Sequence, residues 1–224
     1  MGIFVVIPCY NESKRIIDVL GRINKLGVVD KVIVVDDGSF DNSYECVINY
    51  SKGSVLVLRH RINLGKGAAL KTGCEAAFKL GGDIVILIDG DGQHPPEIIP
   101  LMIKKIREEG LDLIFGSRKI EFKKMPFVFY LGNKLLTEIT KFLSGVSVSD
   151  SQSGLKAFKS SAYPKLEWKA CDYYVETEMI FNAGKNKLKY GEVFIDTVYK
   201  DNYKGTTPFD GIKILFRIIK SKLS

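Results

Sequence analysis

No apolar run in this chain reaches the roughly 18 residues of a membrane-crossing helix, so no span is expected. The opening, Met1-Gly2-Ile3-Phe4-Val5-Val6-Ile7-Pro8, has neither a basic leader nor a small-residue cleavage site, and is expected to be a strand and not a signal peptide. Val6 also stands where an N-myristoylation motif requires Ser or Thr. Cysteine is scarce: Cys9, Cys46, Cys74 and Cys171 are too scattered for a disulfide framework or a metal pattern, and a reducing cytoplasm is the expected setting. The histidines, His60 and His94, lack metal-ligand spacing and read as structural, and the single Trp168 is assigned no role. Repeats, low-complexity tracts, linkers and nucleic-acid motifs are all missing, so no nucleic-acid partner is expected. A basic nucleic-acid-binding protein would instead show salt-sensitive affinity that Asp89→Ala leaves unchanged. With 33 Lys and Arg against 26 Asp and Glu, the net charge of +7 still favours some anionic partner.

What is present is an alternation. Ile3 to Ile7, Lys31 to Val35, Val55 to Leu58, Ile84 to Ile88 and Leu111 to Phe115 read as strands. Helical patterns lie between them near Glu12 to Leu26, Asn42 to Tyr50, Gly67 to Leu80 and Pro96 to Glu109. This order implies an α/β fold with a parallel sheet, helices on both faces and right-handed crossovers. At 224 residues and 46% hydrophobic, one domain spanning 1–224 is expected.

The stretch from Asp83 to His94 organises the rest. Ile84 to Ile88 leaves no polar face, as in a strand buried on both sides. At its carboxyl end, where ligands of open α/β sheets collect, Asp89 and Asp91 emerge one glycine apart. Positions two apart in extended chain point the same way, so both acids can face one ligand. Two close carboxylates repel unless a cation joins them. A hard ion such as Mg²⁺ or Mn²⁺, shared with phosphate oxygens and water, meets that need, and Gln93 can add a carbonyl oxygen. An ordinary Asp-Gly turn explains the same residues, and this stretch alone does not choose between the two.

Polar residues recur where the other strands run out. Pro8-Cys9-Tyr10-Asn11-Glu12 offers Asn11 as a helix cap and Tyr10 as a surface for a flat base. In Asp36-Asp37-Gly38-Ser39-Phe40-Asp41-Asn42-Ser43 a carboxylate can accept from a ribose or a base edge, with Asp41 as a helix cap. Asn63-Leu64-Gly65-Lys66-Gly67 opens a helix with glycines that allow close backbone approach, a place where phosphate can be held. Its spacing matches neither a Walker loop nor GxGxxG.

Together, Pro8-x-Tyr10-Asn11-Glu12, Val35-Asp36-Asp37-Gly38-Ser39, Asn63-x-Gly65-Lys66-Gly67, Asp89-x-Asp91-x-Gln93 and Asp150-x-x-Ser153-Gly154 resemble, in order and spacing, the family 2 glycosyltransferases of the GT-A fold. Within them the dolichyl-phosphate mannose synthase group is the nearer match. The resemblance covers almost the whole chain and is more specific for fold and nucleotide-sugar use than for the sugar. It implies a GT-A type, Rossmann-like mixed and mainly parallel sheet, a nucleotide-sugar-binding half over 1–117 and an acceptor-binding half over 118–224. By the same resemblance Pro8, Tyr10, Glu12, Asp37, Lys66, Asp89 and Gly90 hold the nucleotide-diphosphate sugar. Asp89, Asp91 and Gln93 bind the Mg²⁺ or Mn²⁺ that carries its diphosphate.

After Phe115-Gly116-Ser117-Arg118 the chain turns basic and aromatic. Over 127–143, Val128, Leu131, Leu135, Ile139 and Phe142 share a helical face, with Asn133, Lys134, Thr137 and Lys141 elsewhere. Over 209–223, Ile212, Leu215, Phe216, Ile219 and Leu223 share a face flanked by Lys213, Arg217, Lys220 and Lys222, the pattern of a basic amphipathic helix on an anionic membrane surface. By resemblance these helices form a membrane-surface platform, the acceptor is dolichyl or another polyprenyl phosphate, and Arg118, Lys134 and Lys200 meet its phosphate. Lysine at 134 and 200, where family members often carry Arg, gives no planar two-point clamp.

Asp150 matches the family position that faces the acceptor, so Asp91, Asp150 and Arg118 are the candidate catalytic residues. A lipid phosphate is ionised at neutral pH and needs no strong base, which points to in-line attack on the anomeric carbon with inversion. A hydroxyl acceptor would make Asp150 the base. Of Glu176 and Glu178, one is expected to orient the site and the other to be solvated, and the loop from Tyr199 to Pro208 is expected to close over the substrates. Peripheral attachment at the inner face of the cell membrane follows, directly or through a membrane-protein partner. A family 2 transferase acting on a glycan hydroxyl would not use polyprenyl phosphate, and a nucleotidyltransferase would release pyrophosphate.

Overall fold

The computed structural model describes residues 2–51, 55–118 and 127–196, with backbone alone over 127–130. The helix expected at 209–223, the loop from Tyr199 to Pro208 and Lys200 lie outside the described residues. In chain order the elements are β1 (Gly2–Cys9), α1 (Ile16–Asn24), β2 (Lys31–Asp36), α2 (Ser43–Tyr50), β3 (Val55–Arg59), α3 (Lys66–Lys79), β4 (Gly82–Leu87) and α4 (Ile99–Glu108). They continue with β5 (Leu113–Arg118), α5 (Phe127–Ser144), β6 (Lys156–Lys159), α6 (Tyr163–Leu166), α7 (Val175–Lys185) and β7 (Tyr190–Ile195).

One sheet takes all these strands in the order β3-β2-β1-β4-β6-β5-β7. The pairings are parallel except those of β6, which runs antiparallel to both β4 and β5. Neither β6 nor β7 was expected from the alternation. The reversal of β6 matters for function: its first residue, Lys156, pairs with Leu87 and with Phe115, so the loop before it arrives at the carboxyl ends of β4 and β5.

Side-chain alternation builds a core on each face of the sheet. On one side Ile3, Val5 and Ile7 of β1 join Ile84, Ile86 and Ile88 against Ile16, Leu20 and Ile23 of α1 and Met102 and Ile106 of α4. On the other, Phe4 and Val6 join Val85 and Leu87 against α3 and α7. Ile84 to Ile88 is buried throughout, as the unbroken aliphatic run requires. Helix α3 lies close because its inner stripe is small: Gly67, Ala69, Gly73, Cys74 and Ala77 are all buried.

Of the apolar face expected on helix α5, Leu131, Leu135 and Phe142 look outward, whereas Ile139 is half-buried against Leu136. Leu131, Leu135 and Phe142 are 54%, 57% and 86% exposed, while Asn133, Leu136, Thr137 and Thr140 are buried. The inward polar face has a partner. Thr137 Oγ1 lies 3.1 Å from Ser151 Oγ and accepts the Ser151 N–H at 3.1 Å, so α5 docks on the loop that carries Asp150.

A Cβ at Gly73 would come within 2.3 Å of Val6 Cγ1 and 3.3 Å of Val35 Cγ2. Gly73→Val is therefore expected to lose about 1–3 kcal/mol of stability through overpacking between α3 and the sheet. Urea unfolding followed by circular dichroism measures it.

Candidate active site

The buried strand β4 delivers Asp89 and Asp91 at its carboxyl end, and both are half-buried there. Lys66, the first residue of α3, places its ammonium 2.6 Å from Asp89 Oδ1 and 2.7 Å from Glu176 Oε1 on α7. His94 Nε2 stands 3.6 Å from Asp89 Oδ2. The backbone of Gly154 closes the same carboxylate from the other side, where a Cβ would lie 2.2 Å from Asp89 Oδ2. Asp91 Oδ1 accepts the Gln93 N–H at 2.9 Å, and Gly90 fits between Ile16, Pro8 and Ile7.

The two acids are driven in opposite directions. Burial alone would raise Asp89, but the Lys66 ammonium and His94 outweigh it and hold this carboxyl well below its ordinary range. Burial and the Asp89 charge both raise Asp91. Lys66, despite burial, is held protonated by Asp89 and Glu176. A carboxyl whose ionisation is opposed by its neighbour is one that a hard cation would ionise, so the Asp89 and Asp91 pair fits such an ion, while Gln93 meets Asp91 through its backbone N–H. Among the described residues no group of three or more His, Cys, Asp or Glu is placed to hold a metal.

Beside this pair sits a second. Arg118 Nε donates to Asp150 Oδ2 and Nη2 donates to Oδ1 at 3.1 Å, while the Arg118 N–H also points to Oδ2 at 3.3 Å. Both residues are buried. Burial would raise Asp150, but the guanidinium overrides it and holds the carboxyl below its usual range. The loop is fastened on both flanks: Glu192 of β7 accepts from Ser149 N at 2.6 Å and Ser149 Oγ at 2.9 Å, and Gln152 Nε2 reaches Thr177 Oγ1 at 3.2 Å.

Lys156 was not anticipated. It is buried, gives its ammonium to Ser153 O at 2.6 Å, and feels Glu176, Lys66, Asp89 and Asp150. Burial brings its pKa down to about 8. The available signal was spacing: in a strand, Lys156 must share a face with Phe158, which is core.

At the carboxyl end of the neighbouring strand β1, Tyr10 is exposed with its ring edge-on to Phe40, 6.1 Å between centroids, and Pro8 is half-buried. Asn11 does not cap α1. With φ of 55° it crosses to the next loop, where its Oδ1 accepts from Phe40 N at 2.9 Å. Asp41 is not the cap of α2 either: Asn42 holds that position, and Asp41, one residue before it, accepts the Ser43 N–H at 2.9 Å. The Glu12 N–H donates to Ser43 Oγ at 2.8 Å, and its carboxylate pairs with Arg15 at 3.0 Å. Asp37 is buried and accepts from Leu64 N at 2.9 Å and Gly65 N at 2.8 Å, with His60 Nδ1 at 2.7 Å. It thereby shapes the loop leading to Lys66. His60, which also meets Thr72 Oγ1 at 3.0 Å, is structural as expected. Asp36 keeps Oδ1 buried without a partner among the described residues, while Oδ2 pairs with Arg59 at 3.2 Å.

Other placements depart from expectation. The glycines opening α3 make room for protein, since Gly67 N donates to Cys171 O at 2.7 Å and a Cβ at Gly65 would meet that oxygen at 2.3 Å. Trp168, assigned no role from sequence, is buried and donates its indole N–H to Gly67 O at 2.9 Å. Glu178 is not a solvated acid: it accepts from Lys169 N at 3.1 Å and Ala170 N at 2.8 Å, fixing the same segment. Lys134 is exposed on α5, and no contact among the described residues places it at this site.

With this geometry in view, the comparisons with known proteins are specific. The family described as Glycosyl transferase family 2 matches residues 4–166. An uncharacterised protein of Methanocaldococcus jannaschii is 41% identical, the match covering 99% of this chain and 92% of that one. A UDP-N-acetylglucosamine–dolichyl-phosphate N-acetylglucosaminyltransferase of Methanococcus voltae is 37% identical over 99% of this chain and 96% of its own. A dolichol-phosphate mannosyltransferase of Pyrococcus furiosus is 28% identical over 98% of this chain and 64% of its own. Among solved structures, glucosyl-3-phosphoglycerate synthase from Mycobacterium tuberculosis with Mg²⁺ and UDP superposes with a TM-score of 0.75 at 23% identity, covering 99% of this chain and 78% of that one. That likeness establishes the fold.

Two outcomes follow from the geometry. Gly154→Ala is expected to displace the Asp89 carboxylate and weaken binding of a nucleoside diphosphate with Mg²⁺ by about 10- to 100-fold, read by calorimetry. For Lys156 the sign is set by its lowered pKa. The unfolded chain keeps this proton to about pH 10.5 and the fold only to about 8, so the native state is penalised below that window and relieved as pH rises through it. The stability of Lys156→Met relative to wild type, from urea titrations, should therefore fall as pH rises from about 8 to 10.5. A flat difference contradicts it.

Proposed function

The chain belongs to glycosyl transferase family 2, and from that membership we propose that it transfers a sugar from a nucleotide-diphosphate sugar to dolichyl or another polyprenyl phosphate, with inversion and with a divalent cation. One observation carries the choice of acceptor. The Asp150 carboxylate is gripped by both prongs of Arg118 and held below its usual range, which makes it a poor proton acceptor. Such a site suits an acceptor that arrives ionised, as a phosphate monoester does at neutral pH. Relatives named for dolichyl-phosphate acceptors support the same choice, and the more similar of them makes UDP-N-acetylglucosamine the donor to test first.

On this reading Asp89, Asp91 and Gln93 hold the cation, with Lys66 fixing the orientation of Asp89. When bound there, a divalent ion neutralises charge building on the departing diphosphate. Arg118, locked by Asp150, sets a rigid positive charge where the acceptor phosphate arrives, so the chain contributes positioning and electrostatics and not proton abstraction. The phosphate oxygen attacks the anomeric carbon as the nucleoside diphosphate leaves. The outward face of α5 supports attachment to the membrane that carries such a lipid: Leu131, Leu135 and Phe142 are exposed, with Lys134 and Lys141 also at the surface. No helix among the described residues is long and apolar enough to cross a membrane.

The test incubates purified protein with Mg²⁺ or Mn²⁺, dolichyl phosphate and a panel of radiolabelled nucleotide sugars. Label is expected in the organic extract, dependent on the lipid phosphate and reduced at least about 100-fold by Asp91→Asn. Label entering only a glycan acceptor, or release of pyrophosphate, would contradict the proposal.

A further inference from the structure

Glu176 is 4% exposed in the first turn of α7, and its two carboxylate oxygens differ in circumstance. Oε1 receives the Lys66 ammonium at 2.7 Å, whereas Oε2 is buried and has no hydrogen-bond partner among the described residues. Lys156, another buried ammonium nearby, donates to Ser153 O at 2.6 Å and forms no ion pair with Glu176 among the described residues. An ionised oxygen shut away from water without a donor is costly, and such an atom calls for a ligand that supplies one. Its position narrows the ligand. The same Lys66 ammonium touches Asp89 Oδ1 at 2.6 Å, so the unmet oxygen stands one ammonium away from the acid assigned to the donor's diphosphate.

We propose that Glu176 Oε2 accepts a hydrogen from a ring hydroxyl of the sugar being transferred, which makes Glu176 a specificity-determining residue. This rests on the donor site proposed above. Diphosphate oxygens have no hydrogen to offer at neutral pH, whereas the sugar is joined to that diphosphate and carries several hydroxyls within a ring's breadth of it. A hydroxyl bonded to a charged acceptor gains more than one bonded to a neutral group, and a site built to hold it rejects the analogue that lacks it. Lys66 then couples the two ends of the donor: its one charge orients the carboxylate at the diphosphate and the carboxylate that reads the sugar.

Calorimetry on the full chain with Mn²⁺ provides the test, using a nucleotide sugar, analogues each lacking one ring hydroxyl, and the nucleoside diphosphate alone. In wild type, one analogue should bind at least about tenfold more weakly than the parent. In Glu176→Met and Glu176→Asp the parent should fall to the level of that analogue, and removing the hydroxyl should cost nothing further, the mark of a shared interaction. Glu176→Gln, which keeps an acceptor oxygen, should recover part of the loss. The nucleoside diphosphate alone, which Glu176 touches only through Lys66, should lose less affinity in every variant than the sugar nucleotide does, and circular dichroism reports that the variants are folded. Equal binding of every analogue by wild type, or an equal loss of the nucleoside diphosphate and the sugar nucleotide in the variants, overturns the inference while leaving the donor site intact. If wild type takes up no nucleotide sugar of the panel, the donor site falls and the inference falls with it.

Discussion

The Lys66 ammonium is the interaction on which the rest of this site depends. It joins Asp89, at the end of the central strand, to Glu176, at the start of α7 and far along the chain. Buried charges persist only when paired, and breaking such a pair leaves an uncompensated charge inside the protein. Much of the surrounding structure keeps this ammonium in place. Asp37 shapes the loop before it, Cys171 O takes the N–H of Gly67, Trp168 holds the Gly67 carbonyl, and Glu178 fixes the backbone of the segment that covers them. The glycines at 65 and 67 exist for that close approach. The result is a rigid joint between the first βα units and the later helices.

The same joint shows what was legible in the sequence and what was not. The run Ile84 to Ile88 announced a fully buried strand because no residue in it can tolerate water, and the acids behind it followed from position alone. The strand β6 gave no such signal: it has four residues and begins and ends with lysine, and Lys156 is paid for by carboxylates that only the fold brings near. The reversed direction of β6 is a tertiary fact, fixed by its pairing with β4 and β5, and no local pattern encodes it. Helix α5 is instructive in another way. Its apolar stripe was visible in the spacing of Leu131, Leu135 and Phe142, but which way that stripe faces depends on Thr137 finding Ser151. The glycines of the Asn63 to Gly67 stretch signalled close approach but not what approaches, because a carbonyl and a phosphate make the same demand on a Cβ.

The acceptor side follows from the reversal of β6. An antiparallel strand between two parallel ones must start at their carboxyl edge, so the Asp150 loop that enters it meets Arg118 at the end of β5 beside the acids of β4. With Thr137 drawn inward to that loop, the apolar residues of α5 turn outward. On the proposed function, one set of contacts thus fixes the charged pocket for a phosphate and presents the surface toward the lipid that bears it.

The central claim is that Asp89 and Asp91 grip the donor's diphosphate through a shared cation that neither the protein nor the nucleotide holds well alone. Calorimetric titration of the full chain with UDP, in Mn²⁺ and again in excess chelator, tests it most directly. Binding in Mn²⁺ should be at least about tenfold tighter than in chelator. Equal affinity under the two conditions would contradict it.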